Sequence, residues 1–106
     1  MKLRKAHHPK FRLQRNLKYN YGLSLEDYEK MLFLQGYACA ICRTKDWRGR
    51  GKRPCVDHDH KTGKVRGLLC SNCNTGLGMF NDNYDVLKQA LAYIARVKPI
   101  YLTRPD

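Results

Sequence analysis

The run Asp57-His58-Asp59-His60, together with Asn74 further along, holds the side chains of this sequence most able to do chemistry. A histidine ionises near neutral pH and can take a proton from water. Aspartate and asparagine offer hard oxygen donors, which Mg2+ and Mn2+ prefer. Cleaving a phosphodiester needs a base, a cation at the leaving oxygen and positive charge on the phosphate. His58 or His60 is the candidate base, Asp57 and Asn74 the candidate cation ligands, and Arg66 a candidate phosphate contact. Taken alone, such a run could equally be a polar turn or an opportunistic second zinc site. Its surroundings decide.

Those surroundings are two CxxC knuckles, Cys39-x-x-Cys42 and Cys70-x-x-Cys73, separated by 27 residues. Each knuckle can place two thiolates on one ion, and two knuckles complete the four-cysteine tetrahedron of structural zinc. The spacer is longer than the usual 15–20 residues, by about what a loop and a hairpin require. A zinc here would clamp the base of that hairpin, and a closed four-thiolate shell leaves no position for substrate. Cys55 is the odd cysteine, outside both knuckles, and reads as a small apolar residue.

A chain of 106 residues has room for one domain with a modest core, so a staple is expected. No run approaches the ~20 apolar residues of a membrane span, and no apolar leader follows the basic start. A cytoplasmic setting is expected, where reduced cysteines hold metal rather than form disulfides.

Lys and Arg number 21 against 9 Asp and Glu, for a net charge of +12. Such a surface suits a polyanion. The charge is blocked: residues 1–25 carry seven basic and no acidic side chains. The second block, residues 43–53, holds Arg43, Lys45, Arg48, Arg50, Lys52 and Arg53 against Asp46 alone, and these six join Arg66 as candidate DNA contacts. Trp47, in their midst, either stacks on an unpaired base or packs over the zinc module, with packing preferred. Neither block has the apolar face that membrane insertion needs.

Several elements must position these groups. Residues 1–9 read as a basic arm in which His7 and His8 are solvated, and a short helix is expected from Lys10 to Tyr21, ended by Gly22. Ser24 is a good N-cap for a second helix, with Asp27 at the capping-box position and Gly36 at its end. Its core face is Leu25, Tyr28, Met31, Leu32 and Gln35, and Tyr19, Tyr21, Tyr28 and Tyr37 are expected to be core or hydroxyl-bonded. Extended runs at 55–60 and 65–69 flank a turn at Lys61-Thr62-Gly63 and predict a hairpin. A short helix after Cys70 should break near Gly76 and Gly78. A last one should run from about Asn83 to Val97, with Leu87, Leu91 and Ile94 on one face and Pro99 closing it. In a straight strand Asp57 and His58 point to opposite faces, so irregular backbone is expected near 57–59.

Two blocks resemble the recombination endonuclease VII family of phages and bacteria. The first is Tyr21-Gly22-Leu23-Ser24-Leu25-Glu26-Asp27-Tyr28 with Gln35-Gly36-x-x-Cys39-Ala40-Ile41-Cys42. The second runs from Val56-Asp57-His58-Asp59-His60-x-Thr62-Gly63 through Val65-Arg66-Gly67-Leu68-Leu69-Cys70-x-x-Cys73-Asn74. The tail Thr75-Gly76-Leu77-Gly78-Met79-Phe80 is also similar to short members. The resemblance implies a small α+β fold, a ββα-metal (His-Me finger, HNH) hairpin and helix stapled by a four-cysteine zinc site and flanked by helices. It places a partly helical basic arm over 1–18 and the zinc-stapled endonuclease domain over 19–106. It implies His58 as general base, Asp57 and Asn74 on Mg2+ or Mn2+, His60 on the phosphate and structural Zn2+ on Cys39, Cys42, Cys70 and Cys73. The products would carry 5′-phosphate and 3′-hydroxyl ends, in a setting of phage recombination or packaging.

Two features depart from the family's junction resolvase. It has an acid one helical turn beyond the Asn, where this chain reads Thr75-Gly76-Leu77-Gly78, so no third carboxylate is expected. It also has a long C-terminal region that builds an intertwined dimer, with no counterpart before Asp106. Branched junctions, nicked duplex and a specific site all stay open as substrates, as do monomer and homodimer. The rival is a zinc-dependent nucleic-acid-binding module without catalysis, which would have no reason to keep Asp57, His58 and Asn74 together.

Overall fold

The computed structural model describes residues 9–96, with side chains from Arg12 onward. The arm histidines His7 and His8, the side chain of Phe11, and Val97 and Pro99 lie outside the described residues. Two compact units are present, residues 1–74 and 75–106.

In the first unit, helix α1 spans Pro9–Tyr21. Proline suits a first helical position, where no N–H partner is lost. Leu13 and Leu17 stand four residues apart on one face, and Leu17 is fully buried. Gly22, at φ +64°, stops the helix by a turn that an L side chain adopts reluctantly. Helix α2 (Leu25–Leu34) starts as its sequence predicts, with the Ser24 hydroxyl accepting from the Asp27 N–H at 3.0 Å. Its end is a Schellman turn: Tyr37 N–H reaches Leu32 O and Gly36 N–H reaches Phe33 O, with Gly36 at φ +70°.

Strands β1 (Cys55–His58) and β2 (Val65–Leu69) form an antiparallel hairpin. Asp59 folds its turn. The Asp59 N–H donates to Lys64 O, its carbonyl accepts from Gly63, and its carboxylate accepts from the Lys61 N–H. β1 therefore stops at His58 instead of running to His60. The core is Leu17, Tyr28 and Leu68, one residue each from α1, α2 and β2, with Met31, Leu32, Val56 and Trp47 packed around it. The remaining buried side chains, Ala38, Cys39, Leu69 and Cys70, sit at the two knuckles. A core this small leaves much of the unit's stability to whatever binds the cysteines.

Helix α3 spans Ser71–Met79 and runs straight through Gly76 and Gly78, contrary to the expected break. Glycine inside a helix costs only about 1 kcal/mol, and the stop comes later. Asn81 at φ +54° closes a second Schellman turn, with the Asp82 N–H on Leu77 O and its own N–H on Gly78 O. Helix α4 (Tyr84–Ile94) is capped by the Asn83 side chain on the Val86 N–H and is shorter than its expected span. Leu87 on its apolar face is half-buried, whereas Leu91 and Ile94 are exposed. Among the described residues no helix is long and apolar enough to cross a membrane.

Candidate active site

Asp57 and His58 lie at the end of β1, where the hairpin register breaks. Asp57 pairs with Gly67 and His58 with Val65, so the register skips Arg66. Such a bulge bends the strand and re-aims side chains that would otherwise alternate. The irregularity expected near 57–59 is present, and the extra residue is on the partner strand.

Arg66 turns back onto β1. Its Nε and Nη2 donate to the two carboxylate oxygens of Asp57 at 2.8 and 3.1 Å, a bidentate pair. The expected phosphate contact is thus engaged with the expected cation ligand. The His58 ring lies 4.9 Å from that of His60 and 5.9 Å from that of Tyr21 at the end of α1, all centroid to centroid. Tyr21 is therefore neither core nor distant; it flanks the imidazole. His60 itself is exposed in the turn. Asn74 sits in the first turns of α3, exposed, with its backbone N–H on Cys70 O. The helix it belongs to starts at the second knuckle, so whatever fixes Cys70 and Cys73 also fixes the root of Asn74.

The four knuckle cysteines come together. Their sulfur atoms all lie within 4.8 Å of one another, and Cys42 Sγ is 3.7 Å from Cys70 Sγ. Zinc–thiolate bonds of ~2.3 Å imply a tetrahedral edge of about 3.8 Å, so this donor set fits a metal such as zinc. The electrostatics agree. Burial pushes the Cys39 thiol up, but backbone N–H donors from Cys70, Cys42 and Ile41 and the Cys73 side chain outweigh it and bring it down to about 6. Burial and hydrogen bonds with Cys70, Cys39 and Cys42 push Cys73 up to about 12. Cys39 is thereby favoured as a thiolate and Cys73 disfavoured, a divergence that a neutralising cation would remove. Cys55, half-buried beside it, is pushed up by burial and then by Cys70 and Cys39. It remains a packing residue outside the tetrahedron.

The basic loop divides in two. Lys45, Arg48, Arg50, Lys52 and Arg53 are exposed. Arg43 instead donates from Nη2 to Gln35 O at 2.7 Å and from Nη1 to Cys39 O at 3.3 Å. Helix α2 has no basic residue in its own last turn, and Arg43 supplies that positive charge from outside. The loop is seated on the start of α3, where Trp47 O accepts the Ser71 N–H at 2.8 Å. Trp47 packs against the core, while Tyr19 and Tyr37, expected to be core or hydroxyl-bonded, are exposed.

The recombination endonuclease VII family model matches residues 14–96. The Gene 59 protein of Mycobacterium phage D29 is 39% identical over 99 residues, covering 86% of this chain and 59% of that protein. The Gene 59 protein of Mycobacterium phage L5 is 40% identical over 97 residues, covering 84% of this chain and 58% of that protein. The chain spans about three fifths of the length of these curated relatives. No solved structure gives a significant match.

Proposed function

Since this chain belongs to the recombination endonuclease VII family, we propose that it is a divalent-cation-dependent DNA endonuclease of the HNH, or His-Me finger, type. The observation that carries this reading is the register break between Asp57 and His58. It bends the hairpin at the junction of the two residues, where a straight strand would send the carboxylate and the imidazole to opposite faces.

In this reading His58 takes the proton from the attacking water, and the ring of Tyr21 beside it limits its rotation. Asp57 and Asn74 hold Mg2+ or Mn2+; their donors are hard oxygens, as those ions prefer. The bound cation supplies positive charge against the oxyanion that develops as the 3′ oxygen leaves. His60, exposed next to His58, orients the phosphate, and the cut leaves 5′-phosphate and 3′-hydroxyl ends. Zinc on Cys39, Cys42, Cys70 and Cys73 is structural: it ties the loop after α2 to the start of α3. Lys45, Arg48, Arg50, Lys52 and Arg53 bind the DNA backbone without reading sequence. The setting is phage recombination or packaging, with nicked duplex or branched DNA as substrate.

The test uses supercoiled plasmid and a synthetic four-way junction, with Mg2+, Mn2+ or chelator, for the full chain and for His58→Ala. Cation-dependent cutting that is lost in His58→Ala supports the proposal. Binding without cutting in either cation overturns it in favour of a non-catalytic zinc module. The ratio of junction to plasmid cutting identifies the substrate shape.

A further inference from the structure

Both oxygens of Asp57 face one guanidinium, at 2.8 and 3.1 Å. The Asp57 side chain is only 12% exposed, whereas that of Arg66 is 40% exposed. The carboxylate is therefore enclosed, and the arginine borders solvent. Each carboxylate oxygen has a second lone pair, but any cation that uses it meets the Arg66 charge at close range. Two positive groups then compete for one carboxylate, and the repulsion between them is strong in so sheltered a place. The geometry of the bulge creates the competition, because the residue skipped by the register is the one turned onto Asp57.

A DNA phosphate changes the balance. Its oxygens accept the same two-pronged donation that Asp57 accepts, and arginine matches either acceptor. We infer that Arg66 is a positioning residue that couples cation loading at Asp57 to DNA binding, by pairing with the carboxylate in the free protein and moving to a phosphate when DNA arrives. The inference rests on the reading of Asp57 as a cation ligand. Linkage makes the effect reciprocal: DNA tightens the cation, and the cation tightens DNA by the same factor. The free protein would then carry little catalytic cation, and the site would be completed on its substrate.

The test is Mn2+ titration by calorimetry of the zinc-loaded full chain, with and without a short DNA duplex. All proteins carry His58→Ala so that the DNA stays intact. With Arg66 in place, Mn2+ should bind weakly alone and more tightly with DNA. Arg66→Gln should tighten Mn2+ in the absence of DNA by about fivefold or more, and should shrink the gain that DNA brings. Arg66→Lys keeps the charge without the fork and should fall between the two. Damage to the hairpin alone would weaken cation binding, so tightening is a signature a merely structural arginine cannot give. Unchanged or weaker DNA-free binding by Arg66→Gln overturns the coupling. An Asp57→Asn control separates the two failures. If Mn2+ binding survives that change, the ligand reading falls and the coupling with it. If binding is lost there while Arg66→Gln behaves like the parent, only the coupling falls.

Discussion

The side-chain amide of Gln35 pairs with both backbone polar groups of Leu68, donating from Nε2 to the carbonyl at 3.0 Å and accepting at Oε1 from the N–H at 2.9 Å. The same Nε2 reaches Ala38 O at 2.9 Å. One side chain thus stands in for a neighbouring strand, tying the end of α2 to the outer edge of β2. Gly67 keeps that approach close, since a Cβ there would lie 3.3 Å from Oε1. The hairpin that carries Asp57 and His58 is held at one edge by this amide.

Gln35→Ala should lower stability by about 1–3 kcal/mol, the usual cost of a buried donor left without its acceptor. The loss concentrates on the Leu68 N–H, because the Leu68 carbonyl also accepts from Ala40 at 3.1 Å. Chemical denaturation of the zinc-loaded protein measures it. A change within about 0.5 kcal/mol, the range of neutral surface substitutions, would show that water replaces the amide.

Stripping zinc should unfold the first unit, because binding energy at the four cysteines is folding energy where the core is this small. Loss of near-UV dichroism and of the cooperative melt would report it; a chelated protein with an unchanged melt would refute it. The pH dependence has a definite sign. The native Cys39 thiol, brought down to about 6, lies below its ordinary value. Its contribution to stability is therefore present above the ordinary thiol range and lost as pH falls through about 6. Protons compete with zinc in the same direction, so a zinc-sensitive dye should detect release on acidification.

What is legible in the sequence is what short-range spacing determines. The two CxxC knuckles, the Ser24 cap and the turn at Gly63 each follow from residues within a few positions of one another. What is not legible depends on partners far apart. Gln35 and Leu68 are 33 residues apart, and nothing local marks that glutamine as a substitute strand. Charge alone does not show that Arg43 also reaches a carbonyl at the end of α2, or that Arg66 pairs with Asp57 in the absence of DNA. Aromatic character alone does not separate Tyr28, which is buried, from Tyr19 and Tyr37, which are exposed. Among the described residues the four sulfurs converge, whereas the roles of Asp57, His58 and Asn74 rest on chemistry and await the cutting assay.

Tyr21 offers a test of the imidazole's setting. Its ring lies 5.9 Å from that of His58, tilted by 51°. Tyr21→Phe retains the ring and should cut at close to the parent rate. Tyr21→Ala frees the imidazole and should lower kcat by about tenfold to a hundredfold, with KM little changed. Single-turnover cutting across pH checks this, and a parent-like rate and pH profile for Tyr21→Ala would dismiss the ring as a positioning group.

The two kinds of basic residue should separate by salt. Replacing exposed Arg50 or Lys52 with alanine should reduce the slope of log affinity against log salt by about one for each phosphate no longer neutralised, with the melt unchanged. Arg43→Ala should do the reverse. It removes the donors to the Gln35 and Cys39 carbonyls, so stability should fall by about 1 kcal/mol while the salt slope holds. A lower slope for Arg43→Ala would return that residue to the DNA interface.

The glycines make the sharpest contrast. Gly76 and Gly78 lie inside α3, and among the described residues nothing beyond the helix's own neighbouring backbone comes within 4 Å of where a Cβ would sit. Alanine at either should stabilise by about 0.5–1 kcal/mol, through helix propensity and a less flexible unfolded chain. Gly49 looks similar in sequence, between two arginines of a polar loop, yet its backbone is at φ +73° and ψ −179°, a region essentially reserved for glycine. A Cβ there would also meet Ser71 Cβ at 2.9 Å. Gly49→Ala should therefore cost about 1–3 kcal/mol from the backbone alone, with the clash added. Ser71→Ala removes the Oγ, which would lie at 3.0 Å, but leaves the closer Cβ in the way. Ser71→Gly removes both. The double variant Gly49→Ala/Ser71→Gly should be more stable than the two single effects predict when added, while remaining below the parent by the backbone cost. Strict additivity in the cycle would show that the loop shifts away from α3 when Gly49 is changed. In that case Gly49→Ala should also disturb the Trp47–Ser71 hydrogen bond, read as faster amide exchange at Ser71.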